Sequence, residues 1–370
     1  MIYIDWNATA PLRTCARDAW LQAQATAWGN PASVHRAGQQ ARAALDAALA
    51  SCAVSLGCHA DELVVTSGGS EALATVLRGV PGPAVVSAID HSAVRRNASD
   101  PRIVAVDSGG RIDAVALAAA APGAGVVAIQ AANNEVGTLQ DVPALAAAVR
   151  RAEPRAIILV DACQLAGKAG LRLPELGADA VAIAGHKLGA PKGIGLLWLR
   201  RGVRLPALIH GGRQQSDRRS GTEDAALAAA CAAALAEATA EAAQEGPRQA
   251  ALIAALWDRL SATLPRLRRL GDPDHCLPNT LGLVHPGLDG RHLAMRLDLA
   301  GIAVSTGAAC LAGRGEPSHV ARALCGDDAL ARSFVRLSIG RDTTAEDFAC
   351  AGSALVEGIR AMAGAGAVAG

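Results

Sequence analysis

Short β-branched and apolar runs recur through the first two-thirds of the chain, each followed by an Ala- and Leu-rich stretch of helical character. That alternation constrains the fold more than any other feature. Residues 63–66, 84–87, 103–106, 126–129, 157–160 and 180–183 are apolar runs of strand length, and the segments between them, such as 139–151, suit crossover helices. Strands joined in this way lie in parallel, with helices covering the sheet. Residues 193–200 read as one more buried strand, which makes seven. The expected fold class is therefore α/β, with a mainly parallel seven-stranded sheet.

Residues 224–245 read as a long Ala-rich helix ended by Gly246-Pro247. Beyond it the pattern changes. Residues 250–264, 291–299 and 344–362 have helical character, whereas 280–284 and 334–339 read as strands. Thr343 and Glu346 have the spacing of a capping box before the last helix. This part reads as a smaller α+β domain.

The chain is 51% apolar and 19% charged, enough for a sizeable core and unlike a disordered chain. A net charge of +1 gives no electrostatic footprint for nucleic acid or an anionic membrane. No run reaches the ~18 uninterrupted apolar residues of a membrane span. Asp5 interrupts the start of any signal peptide. Nine cysteines, an odd number with no CxxC pair, point to a reducing compartment, and a cytoplasmic location is expected.

Lysine narrows the chemistry. It occurs three times, and two of the three share the loop Gly185-His186-Lys187-Leu188-Gly189-Ala190-Pro191-Lys192-Gly193; every other basic side chain, histidine aside, is arginine. A lysine kept against that bias suggests an amine that can lose its proton and form a Schiff base. Either Lys187 or Lys192 could anchor an aldehyde cofactor such as pyridoxal phosphate, unless a rare residue has merely clustered by chance.

Ligands of parallel sheets gather at the carboxyl ends of the strands, and several polar residues fall there. Thr66-Ser67-Gly68-Gly69-Ser70-Glu71 joins a strand to a helix and could cradle a phosphate, although such turns are common. Asp161 closes a strand, where a charge needs a partner; a pyridinium N–H is one and a helix cap another. Gln164 follows three residues later. Asn133-Asn134-Glu135 offers amides in a polar loop or a plain Asn-rich turn. His91 could stack on a flat cofactor in a chain that is only 2% aromatic, or be a surface loop histidine. Cys310 lies in a Gly- and Ala-rich loop beside Arg314, a setting that favours a thiolate. Arg341 follows the last strand, and its planar fork suits a carboxylate ligand or a salt bridge to Asp342.

Taken in order, these pieces resemble the cysteine desulfurases, pyridoxal-phosphate enzymes of the class V aminotransferase group. Matching stretches run from Ile4-Asp5-Trp6-Asn7-Ala8-Thr9-Ala10-Pro11 to Ile339-Gly340-Arg341-Asp342-Thr343-Thr344. Between them lie Gly29-Asn30-Pro31-Ala32-Ser33-Val34-His35, Asn133-Asn134-Glu135-Val136-Gly137, Gly185-His186-Lys187, and Arg219-Ser220-Gly221-Thr222. The cysteine loop followed by Glu316-Pro317-Ser318-His319-Val320 resembles the branch with the longer loop.

The resemblance implies fold type I, with a large cofactor domain over residues 16–245. Residues 1–15 and 246–370 would form the small domain. It also implies that Lys187 carries pyridoxal 5′-phosphate, Asp161 pairs with the ring nitrogen and His91 stacks on the ring. Asn134 and Gln164 would contact the phenolic oxygen. Gly69, Ser70 and His186 would hold the phosphate, with Thr222 contributed across a homodimer. Arg341 and Asn30 would bind the carboxylate of L-cysteine, and Cys310 would accept its sulfur for delivery to an acceptor protein. Other class V reactions, such as selenocysteine lyase or transamination, and a non-catalytic scaffold are the alternatives. One departure stands out: Ala184 precedes Gly-His-Lys where the family commonly places a phosphate-binding serine.

Overall fold

The computed structural model describes residues 1–307 and 316–366. Its strands are β1 (Ile2–Tyr3), β2 (Leu63–Thr66), β3 (Ala84–Ser87), β4 (Arg102–Val104), β5 (Val126–Gln130), β6 (Ile157–Asp161), β7 (Ala180–Ala184) and β8 (Gly195–Leu199), then β9 (Arg268–Leu270), β10 (Thr280–Val284), β11 (Ile302–Ala303) and β12 (Val335–Ser338). Strands β2 to β8 form one seven-stranded sheet in the order β2-β8-β7-β6-β5-β3-β4. Only β8 runs against its neighbours, β2 and β7. The carboxyl ends of the other six therefore share one edge.

Alternate residues of the central strands enter two separate apolar layers. In β7, Val181 and Ile183 pack with the helices Arg36–Leu56, Val142–Ala152 and the start of Ala225–Thr263. Ala180 and Ala182 face the layer built around Leu73, Val76 and Leu77 of the helix Gly69–Gly79. Strands covered on both faces are apolar at every position, which is why they read as continuous runs.

A second core, containing Ile4, Ile253, Leu256, Leu281, Val335, Phe348 and Leu355, surrounds the antiparallel sheet β12-β10-β9. The amino-terminal β1 adds to this part of the molecule by pairing with β11. No helix ends at Gly246-Pro247. A single helix, Ala225–Thr263, runs through both residues. Its first half buries Cys231 and Leu235 in the large core, and its second half buries Ile253, Leu256 and Leu260 in the small one. Anchorage at both ends outweighs the ~3 kcal/mol that an internal proline costs. The helix is also long and apolar enough to cross a bilayer, but its apolar stripe is buried in these two cores.

Two further expectations shift. The strand expected at 103–106 occupies Arg102–Val104, because Val106 turns to bridge Ile112. The last helix, Ala345–Gly366, is capped by Thr344 and Asp347 rather than by Thr343 and Glu346. Thr343 instead accepts from the Gly340 N–H at 3.1 Å and closes the preceding turn.

Candidate active site

The shared edge of the sheet holds a cavity of about 190 Å³ lined by Gly69, Ser70, Leu73, His91, Gln130, Asn134, Asp161, Cys163, Gln164, Ala184, His186 and Lys187. These residues arrive from five strand ends. Gly69 and Ser70 open the helix that follows β2, so the cavity is lined by a helix start, whose first N–H groups suit an anion. Gly69 packs closely on Cys163: a Cβ there would stand 2.5 Å from Cys163 Sγ, so any larger residue needs that side chain to move. His91 follows β3 and caps the short helix Ser92–Arg95, its Nδ1 accepting from the Ala93 N–H at 3.1 Å. Asn134 follows β5; its Oδ1 accepts from Gln130 Nε2 at 3.2 Å. Asp161 ends β6, and its Oδ1 accepts from the Cys163 N–H at 3.0 Å.

Lys187 sits in a single 3-10 turn, Gly185–Lys187, directly after β7. Its amine donates to the backbone oxygens of Asn7 and Ala8, so the amino terminus of the chain closes the site. Burial, with the neighbouring Arg336 cation, holds its pKa down to about 8 from the ordinary 10.5. Lys192 is exposed and lines no cavity of the site. Of the two loop lysines, only Lys187 lines the cavity.

His186 contacts Thr9 Oγ1 through Nδ1 at 3.2 Å, and burial beside Lys187 lowers its pKa to about 4, leaving a neutral imidazole. His91 is also held low by burial. Two carboxyls stand beside these site residues. Burial raises Asp90, next to His91, to about 7, and Glu135, next to Asn134, likewise to about 7. Glu135 accepts the Ser318 hydroxyl, and a Cβ on Gly307 would stand 2.7 Å from its Oε2. His319 Nε2 lies 3.0 Å from the Asp90 backbone oxygen. The residues flanking 308–315 are thus fastened beside the cavity. Cys310 itself lies outside the described residues.

A smaller cavity of about 50 Å³ adjoins Lys187 and is also lined by Trp6, Lys168, Asn279 and Arg341. The Arg341 guanidinium lies 5.3 Å from the Trp6 ring centroid, a cation–π contact, and donates to the Pro11 backbone oxygen at 3.2 Å. Gly340 permits this arrangement, since a Cβ there would stand 2.1 Å from Trp6 ring carbons. Asn30 is not brought to Arg341: it is exposed, and its Oδ1 accepts from the Ala32 N–H at 2.9 Å. Thr222 is exposed and lines neither cavity.

Sequence reasoning missed Asn7, Lys168 and Arg336. Arg336 pairs with Asp5 and donates to the Asn134 backbone oxygen at 2.8 Å. The scarcity that singled out the loop lysines applied equally to Lys168. A larger cavity of about 880 Å³ lies beside β2, but its lining, including Arg42, Asp61, Arg218 and Glu223, contains no lysine, histidine or cysteine.

Residues 2–349 match the family model described as aminotransferase class-V. The chain belongs to the class V aminotransferase family. Relatives of this family member include a cysteine desulfurase of Cereibacter sphaeroides, 37% identical over 94% of this chain and 92% of that protein. The cysteine desulfurase NifS of Azotobacter vinelandii is 35% identical over 94% of this chain and 89% of its own length. Among solved structures, a NifS-like protein superposes with a TM-score of 0.89 at 28% identity, covering 96% of this chain and 98% of that one.

Membership of the class V family implies use of pyridoxal phosphate. The donor set suits that group. A carboxylate, three amides, two histidines, a helix N-terminus and a low-pKa amine converge on one cavity. Ala184 lines the cavity with a methyl group where a serine would supply a hydroxyl.

Proposed function

We propose that this chain is a cysteine desulfurase that carries pyridoxal phosphate on Lys187. The observation that carries this reading is the position of Lys187: its low-pKa amine stands between the cavity of Asp161 and His91 and the smaller cavity of Arg341. Asp161 would hold the ring nitrogen, His91 would cover the ring face, and Asn134 and Gln164 would face the phenolic oxygen. Gly69, Ser70 and His186 would hold the phosphate. When bound, the cofactor supplies an electron sink for the bond broken at the substrate Cα.

Arg341 would hold the carboxylate of L-cysteine, with Trp6 fixing the plane of its guanidinium. Lys187, as a free amine, would take the Cα proton. The Cys310 thiolate would then attack the substrate sulfur. The Cβ–S bond breaks and an S–S bond forms on Cys310. Protons would then return so that Cα regains its hydrogen and Cβ becomes a methyl group, the extra proton being the one the Cys310 thiol released. Alanine leaves with the original carbon skeleton. L-cysteine and the enzyme thiol thus become L-alanine and an enzyme persulfide, with atoms and electrons balanced, and a sulfur acceptor takes the outer sulfur. Thr222, exposed in one copy, would reach into the phosphate site of a second copy, as the resemblance implies, and the active form would be a homodimer.

The test is alanine and sulfide formation by the pyridoxal-phosphate-loaded protein supplied with L-cysteine. Cys310→Ser should abolish persulfide formation while the cofactor absorbance persists. Protein that takes up the cofactor but yields no alanine from L-cysteine would refute the reading, and selenocysteine or an oxo acid in the same assay would expose a different class V reaction.

A further inference from the structure

Lys168 has no role in the reading above, yet its amine sits inside the site. Its Nζ lies 2.6 Å from Gln164 Oε1 and 2.6 Å from Asn7 Oδ1. Both acceptors are amides, 3% and 1% exposed, and no carboxylate is bonded to this lysine among the described residues. Burial pushes its pKa well below the ordinary 10.5, and Lys187 and Arg336 add to the shift. A neutral amine still has two N–H bonds, as many as it has acceptors here. In either protonation state Lys168 gives hydrogens to both amides.

That fixes which way each amide points. A side-chain amide can swap its oxygen and its NH2 by a half-turn, and only its partners decide between them. Facing a lysine amine, Gln164 must turn its oxygen inward, which leaves its Nε2 to donate; here it reaches the Asn7 backbone oxygen at 2.9 Å. Asn7 is set in the same way. Its Oδ1 also accepts from Asn279 Nδ2 at 3.1 Å, and its Nδ2 donates to Thr280 Oγ1 at 2.8 Å.

We propose that Lys168 is a positioning residue, locking the Gln164 amide so that only its N–H groups face the phenolic oxygen of the cofactor. Without it the amide keeps only its bond to the Asn7 backbone oxygen, and a half-turn would set its oxygen toward that phenolate, exchanging a hydrogen bond for a repulsion. This rests on the placement of Gln164 proposed above.

The test titrates cofactor-free protein with pyridoxal phosphate and follows the pH midpoint of the bound cofactor's visible absorbance. Four proteins are compared with the wild type: Lys168→Met, Lys168→Arg, Gln164→Ala and the double variant Lys168→Met/Gln164→Ala. Lys168→Met should weaken binding by about tenfold, the loss of one hydrogen bond to a charged acceptor, and should raise the midpoint. Gln164→Ala should do the same, the double variant should be no worse than Gln164→Ala, and Lys168→Arg should stay close to the wild type. Effects of the two single changes that add would show that Lys168 acts elsewhere and overturn the proposal, as would an unaltered Lys168→Met. A silent Gln164→Ala overturns it together with the placement of Gln164, leaving cofactor binding itself intact. A wild-type protein that takes up no pyridoxal phosphate overturns both this proposal and the function above.

Discussion

Pyridoxal phosphate mixed with the cofactor-free protein should react with Lys187 along a pH profile that bends near 8. The neutral amine is the reactive form. Burial and Arg336 bring its pKa from 10.5 to about 8, which makes the charged form about 3 kcal/mol less favourable than in water. At pH 7 about 9% of the lysine is then free amine, against about 0.03% for an unperturbed lysine, roughly a 300-fold gain. The rate should climb tenfold per pH unit up to the bend and flatten above it. Stopped-flow absorbance, with Lys187→Ala as the baseline, measures this directly. Arg336→Met removes the neighbouring cation, so the bend should move to higher pH. The same burial disfavours folding below pH 8, where the folded chain carries a charge it holds poorly. From about pH 8 to 10.5 the unfolded chain keeps this proton and the folded chain releases it, so stability rises across that window. A rate still climbing without a bend through pH 10, or an Arg336→Met bend at unchanged or lower pH, would refute the argument.

Ala184→Ser should tighten pyridoxal phosphate by about 1.5–3 kcal/mol, the worth of one hydrogen bond to a charged acceptor; equilibrium dialysis that finds equal affinities would count against the missing-hydroxyl reading. Pro247→Ala should raise the unfolding midpoint in urea, by up to ~3 kcal/mol if the proline is fully unfavourable in the helix. Asp179, buried between Arg150 and Arg200 and also accepting from the Ile158 N–H at 2.9 Å, anchors the far end of β7; Asp179→Asn should destabilise by about 3 kcal/mol in the same assay.

The cofactor end of the site was legible in the sequence because each of its residues follows a strand whose two faces are both buried, and such strands announce themselves as unbroken apolar runs. Asp161, His91, Asn134 and the loop of Lys187 and Lys192 could be placed at strand ends from that alone, whereas the choice between the two lysines could not. The helix through Gly246-Pro247 was not legible, since breaker residues are a local signal and the two anchoring cores are not. The pairs β1–β11 and β9–β10 were missed because elements of two or three residues carry almost no periodicity. Lys168 was passed over for a different reason: its partners, Asn7 and Gln164, meet only after the chain has folded. Asn30 and Thr222 were named by resemblance, and within one copy of the chain neither reaches a cavity of the site.

The first eight residues have a consequence for the order of assembly. Asn7 takes the Ser338 hydroxyl as acceptor for its N–H, and Asp5 takes Arg336 as its ion partner, each across 331 residues of sequence. At ~5–20 residues per second of synthesis, these partners emerge roughly a quarter-minute to a minute after the amino terminus does. Until then the segment of Asn7 and Ala8 is held against Lys187 only by its contacts with Gln164, Lys168 and His186. A nascent chain can finish its sheet with the site half-latched, and the contacts of Asp5 and Asn7 with the last strand act as a late-closing clasp. Substitutions of Asp5 or Asn7 should therefore disturb cofactor capture before they disturb folding.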